Sequence, residues 1–247
     1  MEICDAFFGV GAWFRRDRLL PWRTEELVAL MDHFGIGSAV AHSNFTAGGG
    51  NAWHGNAILA EIVLRTPRLT PAFSYTPFPH RDSPRVDDLL TAMRQANSRM
   101  LFLFPHSAYP IRTVYGELLE ACVAHRIPVG LNRENLTPAW IEELLRTWPD
   151  LRVLLVGCAY QEEIWVYPLL RRFEHLRLCV GHYFIPPDAP LRFLDEFPAR
   201  RLVFGSGLPF FSPGGLIAHL MYAPIAQADR EAIFSGNILQ WMEEVRW

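Results

Sequence analysis

An eight-stranded parallel α/β barrel, the (β/α)8 or TIM-barrel architecture, is predicted by three observations. Short apolar runs alternate with amphipathic stretches along the whole chain. Several of the runs are apolar on both faces, as strands covered on two sides must be. The length of 247 residues is common for such a barrel built as one domain, here residues 1–247.

The strand candidates are 2–7, 36–42, 68–75, 99–104, 127–132, 151–157, 176–182 and 201–205. Between them lie amphipathic stretches at 24–34, 56–65, 84–97, 113–125, 137–148, 161–174, 189–197 and 214–222, and a C-terminal helix is expected over 228–244. Thr24-Glu25-Glu26 places acids in a first helical turn, and Thr137-Pro138 places proline at a first helical position. An open doubly wound sheet is the alternative, but no G-x-G-x-x-G opens a helix; Gly9-Val10-Gly11 lacks the third glycine. Ser43–Gly55, with Ala47-Gly48-Gly49-Gly50-Asn51 at its centre, reads as a long loop after strand 2 that can serve as a lid over the C-terminal mouth.

Composition excludes several chemistries. All 23 basic residues are arginine, so Schiff-base catalysis, a lysine base and a carbamylated-lysine metal bridge are ruled out. A net charge of −3 gives no reason to expect nucleic acid. Cys4, Cys122, Cys158 and Cys179 form no C-x-x-C pair and read as buried free thiols. No apolar run approaches the ~18 residues of a membrane span, and Met1 leads directly into a strand-like segment. A cytoplasmic protein without membrane contact is expected. Trp241 and Trp247, with the apolar face of the last helix, point to a partner surface, for which a homodimer is the expectation; packing against the barrel base is the other reading.

Several motifs, in order and spacing, are similar to those of the amidohydrolase-related TIM-barrel family of metal-dependent hydrolases and decarboxylases. Asp5-Ala6-Phe7-Phe8-Gly9-Val10-Gly11 resembles its D-A-H-x-H-x-G opening, and Trp148-Pro149-Asp150-Leu151-Arg152-Val153 its approach to strand 6. Arg201-Leu202-Val203-Phe204-Gly205-Ser206-Gly207-Leu208-Pro209-Phe210 resembles R-[IL]-x-F-G-S-D-x-P-[FHW], and Ile233 to Leu239 its closing helix. Carried over residue by residue, the resemblance puts the two histidines of the first motif on Phe7 and Gly9. The strand-5 and strand-6 histidines fall on Asn132 and Gly157, and the strand-8 aspartate on Gly207. Zinc needs about three nitrogen or oxygen ligands at ~2.0–2.2 Å, which phenylalanine and glycine cannot supply. No cofactor and no family metal centre are therefore expected.

In a barrel the active-site face is lined by the C-terminal ends of the strands. The candidate ligand-binding residues there are Asp5, Phe7, His42, Tyr75, His106, Asn132 and Arg133, around a roomy apolar cavity for a small organic molecule. Arg133 can clamp a carboxylate or pair with Glu134 or a helix acid. The metal-free catalytic candidates are Cys158 or Ser206 as nucleophile, with His182 on the intervening strand as base. His42, His106, His182 and Asp5 are the residues from which a relocated metal site could be built. Three functions follow: a divergent hydrolase of a small acid, ester or lactone; a non-catalytic ligand-binding barrel; and a metalloenzyme with a moved site.

Overall fold

The computed structural model describes residues 1–13, 20–77, 84–181, 183–184 and 190–247. Eight parallel strands follow one another in sequence order around the sheet. They are β1 (Cys4–Val10), β2 (Ser38–Ser43), β3 (Leu69–Ser74), β4 (Met100–Leu103), β5 (Val129–Asn132), β6 (Val153–Val156), β7 (Leu176–Val180) and β8 (Leu202–Phe204). The barrel closes just beyond β8, where the Gly207 amide donates to the Phe7 carbonyl at 2.9 Å and the Gly9 amide to Leu208 at 2.7 Å.

The helices are α1 (Thr24–Phe34), α2 (Asn44–Ala47), α3 (Ala52–Leu64), α4 (Val86–Gln95), α5 (Ile111–His125), α6 (Pro138–Thr147), α7 (Glu163–Arg172), α8 (Leu191–Leu194), α9 (Gly214–Tyr222), α10 (Gln227–Glu231) and α11 (Asn237–Glu243). Local chemistry sets several of their starts. The Thr137 hydroxyl accepts the Trp140 amide at 3.3 Å in front of Pro138, and the Glu26 carboxylate accepts the Arg23 amide at 3.2 Å.

Two apolar cores result. The larger lies between the sheet and the outer helices. The smaller fills the barrel, with Cys4, Ala6, Val40 and Ala72 giving the small side and Met100, Phe102, Leu154 and Val156 the large one. A Cβ on Gly130 would lie 2.2 Å from the Phe102 ring, so that ring takes the space of an absent β5 side chain.

Three expectations change. Ser43–Gly55 is not an open loop: α2 forms at once and α3 begins at Ala52, where the Asn51 side chain caps the helix by accepting the His54 amide at 3.1 Å. Trp53 on α3 is 44% exposed and lines a groove on the outer wall, not the mouth. The C-terminal helix is split by a π turn, Ala232–Gly236. Its last segment, α11, plugs the base of the barrel with Ile238, Trp241 and Met242. Trp241 is therefore buried in the base, whereas Trp247 is 36% exposed.

Polar groups hold that plug. The Arg177 guanidinium stacks 3.8 Å from the Trp241 ring centroid and donates to the Asn237 carbonyl. Asn237 in turn donates to Ala199 and Leu202 at 2.8 and 2.7 Å. Glu244 bridges the buried Arg152 and Arg126. Trp241→Ala is expected to cost about 3–5 kcal/mol in urea-unfolding stability, the usual loss for a buried tryptophan. A loss under about 1 kcal/mol would show that the base closes without it.

Candidate functional site

The mouth is organised from the β8–β1 seam. Asp5 is fully buried, and its carboxylate accepts the Ser206 amide at 2.8 Å, the Phe7 amide at 3.0 Å and the Ser206 hydroxyl. Burial pushes the Asp5 carboxyl up to about 6 against those three donors, which lower it. The Ser206 hydroxyl also accepts the Leu208 amide at 2.9 Å, and the residue is 1% exposed. Both groups are thus spent on holding the barrel shut.

Phe7 turns from this seam into the mouth. Its ring stacks on His42 with centroids 4.9 Å apart and 15° between planes, and Phe102 and Phe104 lie 5.1 and 5.5 Å from the same imidazole. Burial alone lowers the His42 pKa to about 3, so the ring is neutral at physiological pH. Its Nδ1 is buried without a hydrogen-bond partner.

The positions that the family motifs assign to metal ligands hold other things. Asn44 fills the place of a side chain on Gly9, for a Cβ there would lie 2.1 Å from Asn44 Oδ1; its Nδ2 donates to the Gly11 carbonyl at 3.0 Å. Asn132 Oδ1 accepts the Glu134 amide at 3.1 Å. Gly157 and Gly207 have φ of +76° and +74°, a left-handed conformation that strains any side-chain-bearing residue. Among the described residues no group of three His, Cys, Asp or Glu could hold a metal ion. The donor set at these positions does not fit the family's metal.

Two joined lobes make up the mouth. The narrower, about 640 Å³, is lined by Phe7, His42, Asn132, Arg133, Gly157 and Gly207, with Trp13, Phe104, Tyr183, Phe210 and Phe211. The wider, about 1090 Å³, is lined by Tyr75, His106 and Asn132 together with Tyr109, Tyr115 and Glu117. Trp13, Ala47, Phe104, Asn132 and Glu134 border both.

The other candidates have specific surroundings. Arg133 is paired with Glu162 at 2.5 Å, and the second oxygen of Glu162 accepts the Ala159 amide at 2.9 Å. Its guanidinium is therefore matched by a protein carboxylate from the turn after β6. Cys158 is buried, and burial first, then Glu162, raises its thiol pKa, which keeps it protonated. His106 is exposed and its Nδ1 accepts the Ala108 amide at 3.1 Å. His182 lies outside the described residues. His42, His106 and Asp5 do not converge: the first lines the narrow lobe, the second the wide one, and Asp5 lines neither.

The mouth residues not anticipated from sequence are chiefly aromatic. Phe210 and Phe211 follow strand 8 in the Leu208–Phe211 apolar run, a signal that was available. Asn44 and Glu162 carried none, since their roles arise from elements distant in sequence.

The chain matches the family model described as Amidohydrolase over residues 87–241, more than half its length. It belongs to the amidohydrolase family. Solved structures share its fold over almost their whole length. An uncharacterised TIM-barrel protein from Bordetella bronchiseptica has a TM-score of 0.73 at 19% identity, covering 99% of each chain. A dihydroxybenzoic acid decarboxylase from Polaromonas, solved with manganese and 2-nitroresorcinol, has 0.74 at 17%, covering 98% of this chain and 97% of that one. A probable 2-pyrone-4,6-dicarboxylic acid hydrolase from Acinetobacter baumannii, with citric acid bound, has 0.69 at 13%, covering 98% and 100%. None of the curated proteins compared with the chain matches it significantly.

His42 gives this amidohydrolase-family mouth a pH signature. A folded pKa near 3 against 6.5 unfolded adds stability above pH 6.5 that is lost as pH falls toward 3. At pH 5 that loss is about 2 kcal/mol. Asp5 works the other way, because a folded pKa raised to about 6 makes its share of stability fall as pH rises through 4–6. His42→Phe keeps an aromatic ring in the stack, so its unfolding free energy should drop by about 2 kcal/mol less than wild type between pH 7 and pH 5. Equal drops in denaturant melts of the two proteins would refute the neutral-imidazole assignment.

Proposed function

We propose that this amidohydrolase-family barrel binds a small neutral aromatic molecule in the narrow lobe of its mouth, and does so without the family's metal-hydroxide chemistry. The observation that carries the proposal is the wall of rings that lines this lobe. Phe7, stacked on His42, stands at one ligand position, and left-handed glycines at 157 and 207 stand at two others. Phe104, Phe210 and Phe211 extend that wall. Such a cleft, apolar with few polar groups, suits an aromatic body held by ring contacts. The one guanidinium among its described lining residues already has Glu162 as partner, so a ligand carboxylate gains little from it.

Metal-free hydrolysis of an ester or lactone is the second reading, favoured by family membership. It is opposed by the raised thiol of Cys158 and by the Ser206 hydroxyl bound to Asp5. No cofactor is invoked, and neither a nucleic acid nor a membrane is proposed as partner. Among the described residues no helix is long and apolar enough to cross a membrane.

Titration calorimetry with phenol tests the proposal. Phenol should bind with an affinity unchanged after exhaustive dialysis against EDTA, and Phe7→Ala should weaken it by roughly tenfold, the loss of one good ring contact. Binding that disappears with EDTA and returns with manganese would overturn it.

A further inference from the structure

The wide lobe carries hydrogen-bonding capacity that the protein does not use. Tyr75, Tyr109, Tyr115 and Glu117 line it, and none of their side chains has a hydrogen-bond or ion-pair partner among the described residues. The phenols lie close enough to feel one another. Burial first, then Tyr109 and Tyr75, raises Tyr115 to about 12, and burial, then Glu117, raises Tyr75. Thr46 also lines the lobe, but its hydroxyl faces Gly55 of α3 and is closed off from the cavity.

We propose that the wide lobe is a subsite for a polyhydroxylated ring, so that the whole mouth takes an aryl glycoside. The aromatic group lies against Phe7 and Phe104, and the hydroxylated ring among Tyr75, Tyr109, Tyr115 and Glu117. The inference rests on the aromatic-binding reading of the narrow lobe, which Phe104 and Asn132 join to the wide one. Phenols both donate and accept, and a carboxylate accepts, which together match the mixed demands of sugar hydroxyls. No arginine is among the described residues of this lobe, and Glu117 and Glu134 would repel a carboxylate there.

The test is calorimetry on the full chain with phenol, phenyl β-D-glucopyranoside and cyclohexyl phenyl ether, the last matching the glucoside in bulk without its hydroxyls. The glucoside should bind at least about tenfold more tightly than the ether, because a site built to pair hydroxyls rejects a ligand lacking them. In the Tyr109→Phe/Tyr115→Phe protein the glucoside should fall to within about twofold of the ether, with phenol unaffected. If phenol binds but the ether matches the glucoside, or the double variant keeps the full preference, the subsite is refuted while the aromatic-binding reading stands. If phenol does not bind, that reading fails and the subsite fails with it.

Discussion

A parallel barrel exists only if its last strand finds its first, and here that junction depends on one buried carboxylate. Asp5 accepts the Ser206 amide and hydroxyl from the far end of the chain and the Phe7 amide from its own strand. The backbone bonds between Gly207 and Phe7 and between Gly9 and Leu208 extend the same seam. These contacts turn Phe7 into the mouth and set the left-handed turn at Gly207. Asp5 is fully buried at this seam, and that burial raises its carboxyl.

Rings line the upper barrel. Phe102 covers Gly130, Phe7 stacks on His42, and Phe104 borders both lobes. Two polar groups there are met within the protein. Asn44 occupies the space above Gly9 and ties down the Gly11 carbonyl, and Glu162 neutralises Arg133. The base is closed differently, by α11 with Trp241 under a stacked arginine. The result is a packed floor, a plugged bottom and an open aromatic cleft.

Much of this architecture was legible in the sequence. Every strand lies close to its apolar run, and α1 and α9 match their amphipathic stretches at both ends, because alternating burial and helix-start residues act locally. The Ser43–Gly55 segment misled because its glycines suggested an irregular loop, whereas Gly50 and Gly55 permit close packing on Phe45 and Thr46 beside short helices. Trp241 misled because an amphipathic face does not say whether it meets a partner or the inside of its own barrel. At the mouth, Asp5, Ser206 and Arg133 were each visible as residues. Their pairings were not, since Ser206 meets Asp5 across 201 positions and Arg133 meets Glu162 across 29. Contacts of that separation depend on how the barrel closes, which no local pattern encodes.

The proposed aromatic cleft stands where the family's metal centre would be. Inductively coupled plasma mass spectrometry on tag-free protein, purified after growth with added zinc and manganese, tests it most directly. Metal far below one atom per chain is expected. A stoichiometric, chelator-resistant metal would contradict it.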